Sequence, residues 1–196
     1  MFGDGFFAAA LRRLGAASVA PFIMEDTKYA VLPIVGFIAR AEINPAEIEG
    51  AAAGCLFPLG GSLERRSFSF TDYYRAEMGD NLVRWWARGA GLAEPAALPD
   101  WKNAARRLEN EWRTPSGGRR VNVDPGYMGL YQLVLATTKA LPQAVYIREG
   151  VFALVEFLFF RGSFQTFSWT YTDYARAIPE LNRWREDFLA LRRARI

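Results

Sequence analysis

The ten residues from Ala30 to Ala39, AVLPIVGFIA, decide how the fold begins, and the other elements can be placed outward from them. They form a continuous, partly β-branched apolar run, which is typical of a buried strand. Pro33 has no N–H for a hydrogen bond between strands, so we expect a bulge or a sheet edge at this position.

Helix and strand patterns alternate after this run. The sequence Asn44-Pro45-Ala46-Glu47 predicts a helix start, with asparagine as the N-cap and proline in the first turn. Ser67 to Phe70 and Asn81 to Arg88 alternate with a period of two, which predicts two strands. A second helix follows, whose apolar face is formed by Trp101, Ala105, Leu108 and Trp112.

The second half of the chain is richer in strands. Arg119 to Asp124 alternates as a strand does, and Asp124-Pro125-Gly126 is typical of a turn. Met128 to Thr138 fits both a helix and a strand, with the helix slightly favoured. Further strands are predicted at Ala144 to Arg148, Val151 to Phe160 and Phe164 to Thr170, the first two joined as a hairpin across Glu149-Gly150. The C-terminal helix carries Leu181, Trp184, Phe188 and Leu191 on one face.

Together these elements predict an α+β fold with a mixed or mostly antiparallel sheet flanked by helices. Residues 29–196 are expected to form a single domain, with a possible division into halves 29–113 and 119–196 at the loop between them. Apolar residues near the start of the chain have helical spacing, so residues 1–28 are expected to form an N-terminal helical extension.

Composition narrows the classes of function. The 196 residues contain no histidine and one cysteine, which excludes histidine-based catalysis, cysteine zinc sites and internal disulfides. A single cysteine fits a reducing cytoplasm, the localisation that we expect. The net charge is only +3 without a long basic run, so no double-stranded DNA partner is expected. No stretch reaches the ~18 apolar residues of a membrane span, so no membrane partner is expected either.

A short internal repeat is the first candidate for a site. Thr71-Asp72-Tyr73-Tyr74-Arg75-Ala76 recurs as Thr172-Asp173-Tyr174-Ala175-Arg176-Ala177, each time after an aromatic strand. In one interpretation, Thr or Asp only caps a short helix in each copy. In the other, the two carboxylates and their tyrosines approach each other at the strand ends and bind a ligand.

The stretch Arg120 to Tyr127 is the second candidate. Three of its polar residues share one strand face, and Thr137-Thr138-Lys139 adds two hydroxyls beside one of only three lysines. On residue types alone, a turn with a solvated strand face is the simpler interpretation. The alternative is an oxyanion or phosphate pocket, in which Lys139 supplies charge and Asp124 holds a divalent ion.

Glu156 stands alone among apolar residues of its strand. Burial would raise the pKa of its carboxyl and suit it to proton transfer. An edge strand, in which Glu156 reaches water or pairs with an arginine, is the interpretation that the sequence slightly favours.

Four motifs stand in a fixed order along the chain. They are Phe70 to Gly79 (FTDYYRAEMG), Arg120 to Tyr127 (RVNVDPGY), Leu133 to Lys139 (LVLATTK) and Trp169 to Tyr174 (WTYTDY). In these motifs the chain resembles an uncharacterised prokaryotic family catalogued as domain of unknown function 4416. That family has no established activity to carry over. Some members are labelled GTP-binding, but this chain has no glycine-rich loop ending in Gly-Lys-Ser/Thr.

Two functional hypotheses follow, and the sequence leaves open whether the protein is an enzyme. In the first, a phosphate-bearing metabolite or nucleotide binds in a carboxylate, tyrosine and lysine site, with Mg²⁺ held by Asp72 and Asp124. The predicted catalytic residues are Asp72, Asp124 and Asp173. The predicted ligand-binding residues are Tyr73, Tyr74, Glu77, Arg120, Asn122, Tyr127, Thr137, Thr138, Lys139, Trp169 and Tyr171.

The second hypothesis is a non-catalytic interaction module for a protein or a single-stranded nucleic acid. Its recognition surface would consist of Trp85, Trp86, Tyr127, Trp169 and Tyr171.

Overall fold

Nine strands and four α-helices make up the part of the chain that the structure, a computed structural model, describes, residues 29–194. The predicted N-terminal helical extension, residues 1–28, lies outside the described residues. The strands are β1 (Leu32–Arg40), β2 (Leu59–Ser62), β3 (Arg66–Ser67), β4 (Leu82–Gly89), β5 (Val121–Met128), β6 (Gln132–Thr137), β7 (Ala144–Arg148), β8 (Val151–Phe160) and β9 (Ser163–Thr166). The helices are α1 (Pro45–Cys55), α2 (Arg75–Met78), α3 (Leu98–Glu111) and α4 (Ile178–Arg193).

All nine strands belong to one sheet, in the order β2-β4-β1-β5-β6-β8-β7, with β3 also pairing with β4 and β9 with β8. Every pair of strands is antiparallel. The predicted α+β class with a mostly antiparallel sheet is therefore confirmed. Because β1 pairs with β5 from Leu32 to Ala39, one sheet runs through both of the segments that the sequence suggested as halves.

β1 is an interior strand without a register shift, so the expected bulge or edge at Pro33 is wrong. The proline is tolerated because pairing with β4 begins one residue later, at Ile34. A proline costs least where no neighbouring strand needs its missing N–H.

The sheet is covered on both faces. On the first face, α1 and α3 pack over β1, β4 and β5 in a hydrophobic cluster that includes Phe37, Trp85 and Trp101. On the second face, α4 packs its predicted apolar side, Leu181, Trp184 and Phe188, into a second cluster. None of the described helices is long and apolar enough to span a membrane.

Two predictions around β5 and β6 are wrong. Asp124-Pro125-Gly126 does not turn the chain, since all three residues lie within β5 and pair with β1. Met128 to Thr138 holds no helix, because Gln132–Thr137 forms β6. In both places pairing with a neighbouring strand outweighs a local preference, which commonly happens with short apolar segments.

The predicted hairpin between β7 and β8 is confirmed. Its two turn residues, Glu149 and Gly150, have φ angles of 53° and 72°. Positive φ at both central positions is the geometry whose twist matches a two-residue hairpin.

Candidate functional site in an opening of the sheet

A cleft opens on the sheet between β5 and β6. In the described structure these strands pair only where Gly126 to Met128 faces Leu133 to Leu135. Towards the start of β5 and the end of β6 the ladder is not continued, and Asn122, Asp124 and Thr137 line a cavity of about 430 Å³. This volume lies within the range of small-molecule sites in proteins.

The sequence Pro125-Gly126 explains where the pairing stops. A side chain at Gly126 would collide with the backbone carbonyl of Val134 and the side chain of Leu135, so only glycine lets β6 approach there. Pro125, the residue before Gly126, has no N–H that could donate a further hydrogen bond to β6. The motif predicted to be a turn is therefore the point at which the sheet opens.

Side chains of α3 satisfy the strand edge exposed by the opening. Glu109 Oε1 accepts a hydrogen bond from Val123 N at 2.7 Å, and Lys102 Nζ donates one to Val123 O at 3.1 Å. Lys102 and Glu109 are two helical turns apart, so they leave α3 on the same side. They replace a strand partner at Val123, whose buried backbone groups need hydrogen bonds.

Asp124 is held by two of these neighbours. Its Oδ1 accepts from Lys102 Nζ at 2.9 Å, and its Oδ2 accepts from Asn122 Nδ2 at 2.7 Å. Burial opposes ionisation of Asp124, but the charge of Lys102 and the hydrogen bonds from Lys102 and Asn122 outweigh it and hold the pKa below its ordinary value. Asp124 is thus a paired carboxylate.

The network continues to Glu77, the residue that follows the first copy of the repeat. Arg119 Nη1 donates to Asn122 Oδ1 at 2.9 Å, and its guanidinium also binds the carboxylate of Glu77 with an Nη2–Oε2 distance of 2.8 Å. These hydrogen bonds lower the pKa of Glu77. The ion pair links α2 to the start of β5 at one end of the cleft.

Each copy of the repeat contributes a tyrosine to the cleft. Tyr74 and Tyr174 are both buried and both line the cleft. Burial raises the pKa of both phenols, so they are neutral hydrogen-bonding groups at ordinary pH. The aspartate of the second copy, Asp173, instead forms an ion pair with Arg84 of β4, and neither residue lines the cleft.

Arg84 is enclosed by aromatic rings. Its guanidinium carbon lies 4.2 Å from the ring centroid of Phe68 and 4.7 Å from that of Tyr174. Such rings attract the cation over their faces. Arg84 therefore links β4 to the second copy of the repeat and neutralises Asp173.

Glu156 of β8 is the least expected residue of the cleft. It is only 2% exposed, so the interpretation of an edge strand with a solvated glutamate is wrong. The β6–β8 register passes from Leu133↔Phe157 directly to Val134↔Val155, which leaves Glu156 as the extra residue of a β-bulge. The bulge also explains why Leu158, two positions further on, is exposed although Glu156 is buried.

The mouth of the cleft carries cations and aromatic rings. Arg106 of α3 and Lys139, just after β6, both line it. Neither forms an ion pair with any residue in the range 29–194. Lys139 Nζ lies 4.2 Å from the ring centroid of Tyr73, and the rings of Trp169 and Tyr171 are also partly exposed there.

The structure brings most of the predicted site residues together. Those that line the cleft are Tyr73, Tyr74, Asn122, Asp124, Thr137, Thr138, Lys139, Trp169 and Tyr171. Glu77 and Asp173 do not line it; Glu77 is paired with Arg119, and Asp173 is paired with Arg84. Arg120 is not among the lining residues, and Tyr127 packs against the first cluster instead.

The predicted roles of Asp72 in catalysis and Mg²⁺ binding stay predictions, because the described part of the structure does not include its side chain. Asp124, its predicted partner, already accepts hydrogen bonds from Lys102 and Asn122. No group of three or more acidic or cysteine side chains within the described range could hold a metal ion.

The aromatic residues of the second hypothesis do not form one surface. Trp85 and Trp86 are 2% and 4% exposed and belong to opposite clusters, because neighbouring residues of a strand face opposite sides. Trp169 and Tyr171 remain exposed.

Sequence reasoning missed several residues of the cleft and its surroundings: Arg84, Lys102, Arg106, Glu109 and Arg119. One signal was available, since Lys102 and Glu109 lie on the apolar side of an amphipathic helix and are buried. Charged residues are rarely buried without a partner.

By class, the chain is an α+β protein with an antiparallel sheet that opens into a polar and aromatic cleft. It belongs to the family described as Domain of unknown function (DUF4416), whose family model matches residues 52–188, more than half of the chain. The predicted membership is thus confirmed, and the match contains every residue that lines the cleft. Comparison with curated proteins and with solved structures gives no match.

Proposed function

We propose that this protein binds a phosphate-bearing metabolite or nucleotide in the cleft between β5 and β6. The observation that carries the proposal is the pair of cations at the mouth. Arg106 and Lys139 come from different elements, line one cavity and have no ion-pair partner among residues 29–194. Arginine and lysine in such a position are typical of sites for phosphate.

The other charges around the cleft are largely balanced in pairs. Lys102 pairs with Asp124, and Arg119 pairs with Glu77. These internal pairs leave the two cations of the mouth available for a ligand. A bound phosphate would be held by charge-assisted hydrogen bonds, which are stronger than neutral ones.

The rings beside these cations support a ligand with a flat or apolar part. Tyr73, Trp169 and Tyr171 are 58%, 40% and 44% exposed, and all three line the cleft. Exposed rings at a site offer stacking surfaces for a nucleobase or a similar group. The combination of rings and cations supports a nucleotide more than a bare anion.

A thermal-shift screen tests the proposal. ATP, GTP and sugar phosphates are added with and without Mg²⁺, and a ligand at a hundred times its Kd should stabilise the protein by about 2.7 kcal/mol. For a chain of this size that corresponds to a rise in Tm of about 5 to 11 °C. No stabilisation by any of these compounds would refute the proposal.

Variants locate the binding. The double variant Arg106→Gln/Lys139→Gln should lose most of the stabilisation by the compound that acts on the wild type. Arg107→Gln is the matched control, since Arg107 is the next residue of α3, is exposed and does not line the cleft. Equal loss in both variants would show a non-specific charge effect.

The alternative, an interaction module for single-stranded nucleic acid, would have to use Trp169 and Tyr171, since Trp85 and Trp86 are buried. A short single-stranded oligonucleotide in the same screen distinguishes the two. Binding of the oligonucleotide without binding of mononucleotides would favour the alternative.

A further inference from the structure

The position of Glu156 is not explained by the packing of the fold. Its Oε2 is buried and has no hydrogen-bond partner among the described residues. A buried carboxyl without partners is costly, and an apolar residue would fill the space with less penalty. Glu156 also lines the cleft rather than a sealed part of the core. An unpartnered carboxyl in this place points to a group supplied by the ligand.

The backbone around Glu156 departs from regular β-structure and is held by hydrogen bonds. Glu156 is the extra residue of the β8 bulge, and bulges commonly redirect a side chain beside a site. The bulge is held on its other side by the Trp169 motif. Trp169 Nε1 donates to Val155 O at 3.0 Å, and Thr170 Oγ1 donates to Glu156 O at 2.7 Å. The backbone that carries Glu156 is therefore held by the protein itself.

The charges that face Glu156 disfavour its ionised form. Burial is the larger cause and the carboxylate of Asp124 the next, and together they raise the pKa of Glu156 to about 7. Arg84 acts in the opposite direction but is engaged by Asp173. The charged and titratable groups that face Glu156 are Arg84 on β4, Asp124 on β5, and Asp173 and Tyr174 before α4.

The proton on Glu156 decides the net charge around the cleft. Apart from Glu156, five cations and four carboxylates among the described residues either line the cleft or belong to the ion pairs beside it. The cations are Arg84, Lys102, Arg106, Arg119 and Lys139, and the carboxylates are Glu77, Glu109, Asp124 and Asp173. With Glu156 protonated this set is positive by one charge, and with Glu156 ionised it is neutral. An anion should therefore bind more tightly when Glu156 is protonated.

We propose that protonated Glu156 donates a hydrogen bond to the bound anion, so that phosphate binding is coupled to uptake of a proton by this side chain. The inference rests on the proposed function and adds the condition under which the cleft accepts its ligand. A bound anion repels ionised Glu156, so binding weakens as the pH rises and Glu156 loses its proton.

Sulfate is the probe that tests this coupling, because it mimics phosphate and keeps its two charges between pH 6 and pH 8. Its Kd is measured at both pH values by tryptophan fluorescence, with chloride adjusted to constant ionic strength. Because the chain has no histidine, no imidazole titrates in this pH window. Wild-type protein should bind sulfate about fivefold to tenfold more weakly at pH 8 than at pH 6.

Glu156→Gln keeps the shape and a donor but cannot ionise. It should bind sulfate equally at both pH values, with a Kd close to that of the wild type at pH 6. Glu47→Gln, a change of an exposed residue on α1, is the control and should behave as the wild type does. The same pH dependence in Glu156→Gln as in the wild type would overturn the inference. A Kd of the wild type that is equal at both pH values, or no detectable binding of sulfate by the wild type, would also overturn it.

A measurement without any variant protects the test if Glu156→Gln fails to fold. When sulfate is added to unbuffered wild-type protein at pH 7, the chain should take up about half a proton. No uptake while sulfate binds would overturn the role of Glu156 and leave the proposed function standing. The proposed function fails separately, if none of the phosphate compounds in the thermal-shift screen stabilises the protein.

Discussion

Replacing Glu156 by glutamine should make the protein more stable at high pH than the wild type, even without a ligand. In the folded state the pKa of Glu156 is about 7, raised from its ordinary value of 4.5. A tenfold change in an equilibrium constant is about 1.4 kcal/mol, so this rise corresponds to about 3 kcal/mol of folding free energy. The folded state holds the proton more tightly than the unfolded state does. Wild-type stability therefore falls as the pH rises from about 4.5 to about 7.

Glutamine has no such titration, so the two proteins should diverge across this window. We expect the difference in unfolding free energy between Glu156→Gln and the wild type to change by about 3 kcal/mol in favour of the variant between pH 4 and pH 8. Expressed as melting temperature, the change is about 6 to 12 °C for a chain of this length. Carboxyls that do not interact with Glu156 contribute equally to both proteins and cancel in the difference.

Urea unfolding at several pH values, followed by tryptophan fluorescence and by far-UV circular dichroism, measures this difference. Glu47→Gln serves as the control, because its exposed side chain should give a difference that is independent of pH. If the difference for Glu156→Gln stayed constant within about 0.5 kcal/mol from pH 4 to pH 8, the buried and unpartnered state of Glu156 would be refuted.

Three further substitutions test how the opening is held. Lys102→Met should destabilise the protein by about 3 kcal/mol, because it leaves the buried carboxylate of Asp124 without its ion-pair partner. The loss of stability should shrink as the pH falls towards 4, and it should be smaller in the double variant Lys102→Met/Asp124→Asn. Urea unfolding of both variants checks this. Gly126→Ala should cost about 2 kcal/mol or more by pushing β6 away, seen as faster amide exchange in β6. Arg119→Lys should cost about 1 to 2 kcal/mol by thermal unfolding, since lysine cannot hold both oxygens of Glu77.

The elements that the sequence predicted well are those where a local pattern and the tertiary environment agree. The two faces of β4 are an example, since Trp85 and Trp86 alternate between the two clusters as the period of two requires. The hairpin at Glu149-Gly150 is another, because the turn chemistry alone fixes its geometry. In such places little information from the rest of the chain is needed.

The site was predicted only in part for a physical reason. The motif residues near Lys139 and Trp169 could be recognised, but the ion pairs that organise the cleft join residues far apart in the sequence. Arg84 and Asp173 are separated by 89 positions, and Glu77 and Arg119 by 42. No rule of sequence spacing applies over such distances, because the order of the strands in the sheet determines which residues come together.

The opening itself was hidden by a conflicting local signal. Asp124-Pro125-Gly126 is typical of a turn when read alone. Only the register with β1 shows that these residues continue the strand, and only the contact with β6 shows why glycine is needed. The bulge at Glu156 could not be predicted from the sequence either. One unpaired residue changes which face of the strand is buried, but it does not alter the amino-acid composition of the strand.

The most direct test of the account is to locate a phosphate mimic in a crystal of the protein. Tungstate has the shape of phosphate, and its anomalous scattering identifies its position. We predict a tungstate ion in the cleft between β5 and β6, with the side-chain nitrogens of Arg106 and Lys139 within about 3.2 Å of its oxygens. Tungstate bound only elsewhere on the protein, with the cleft filled by water and both cations turned to solvent, would contradict the account.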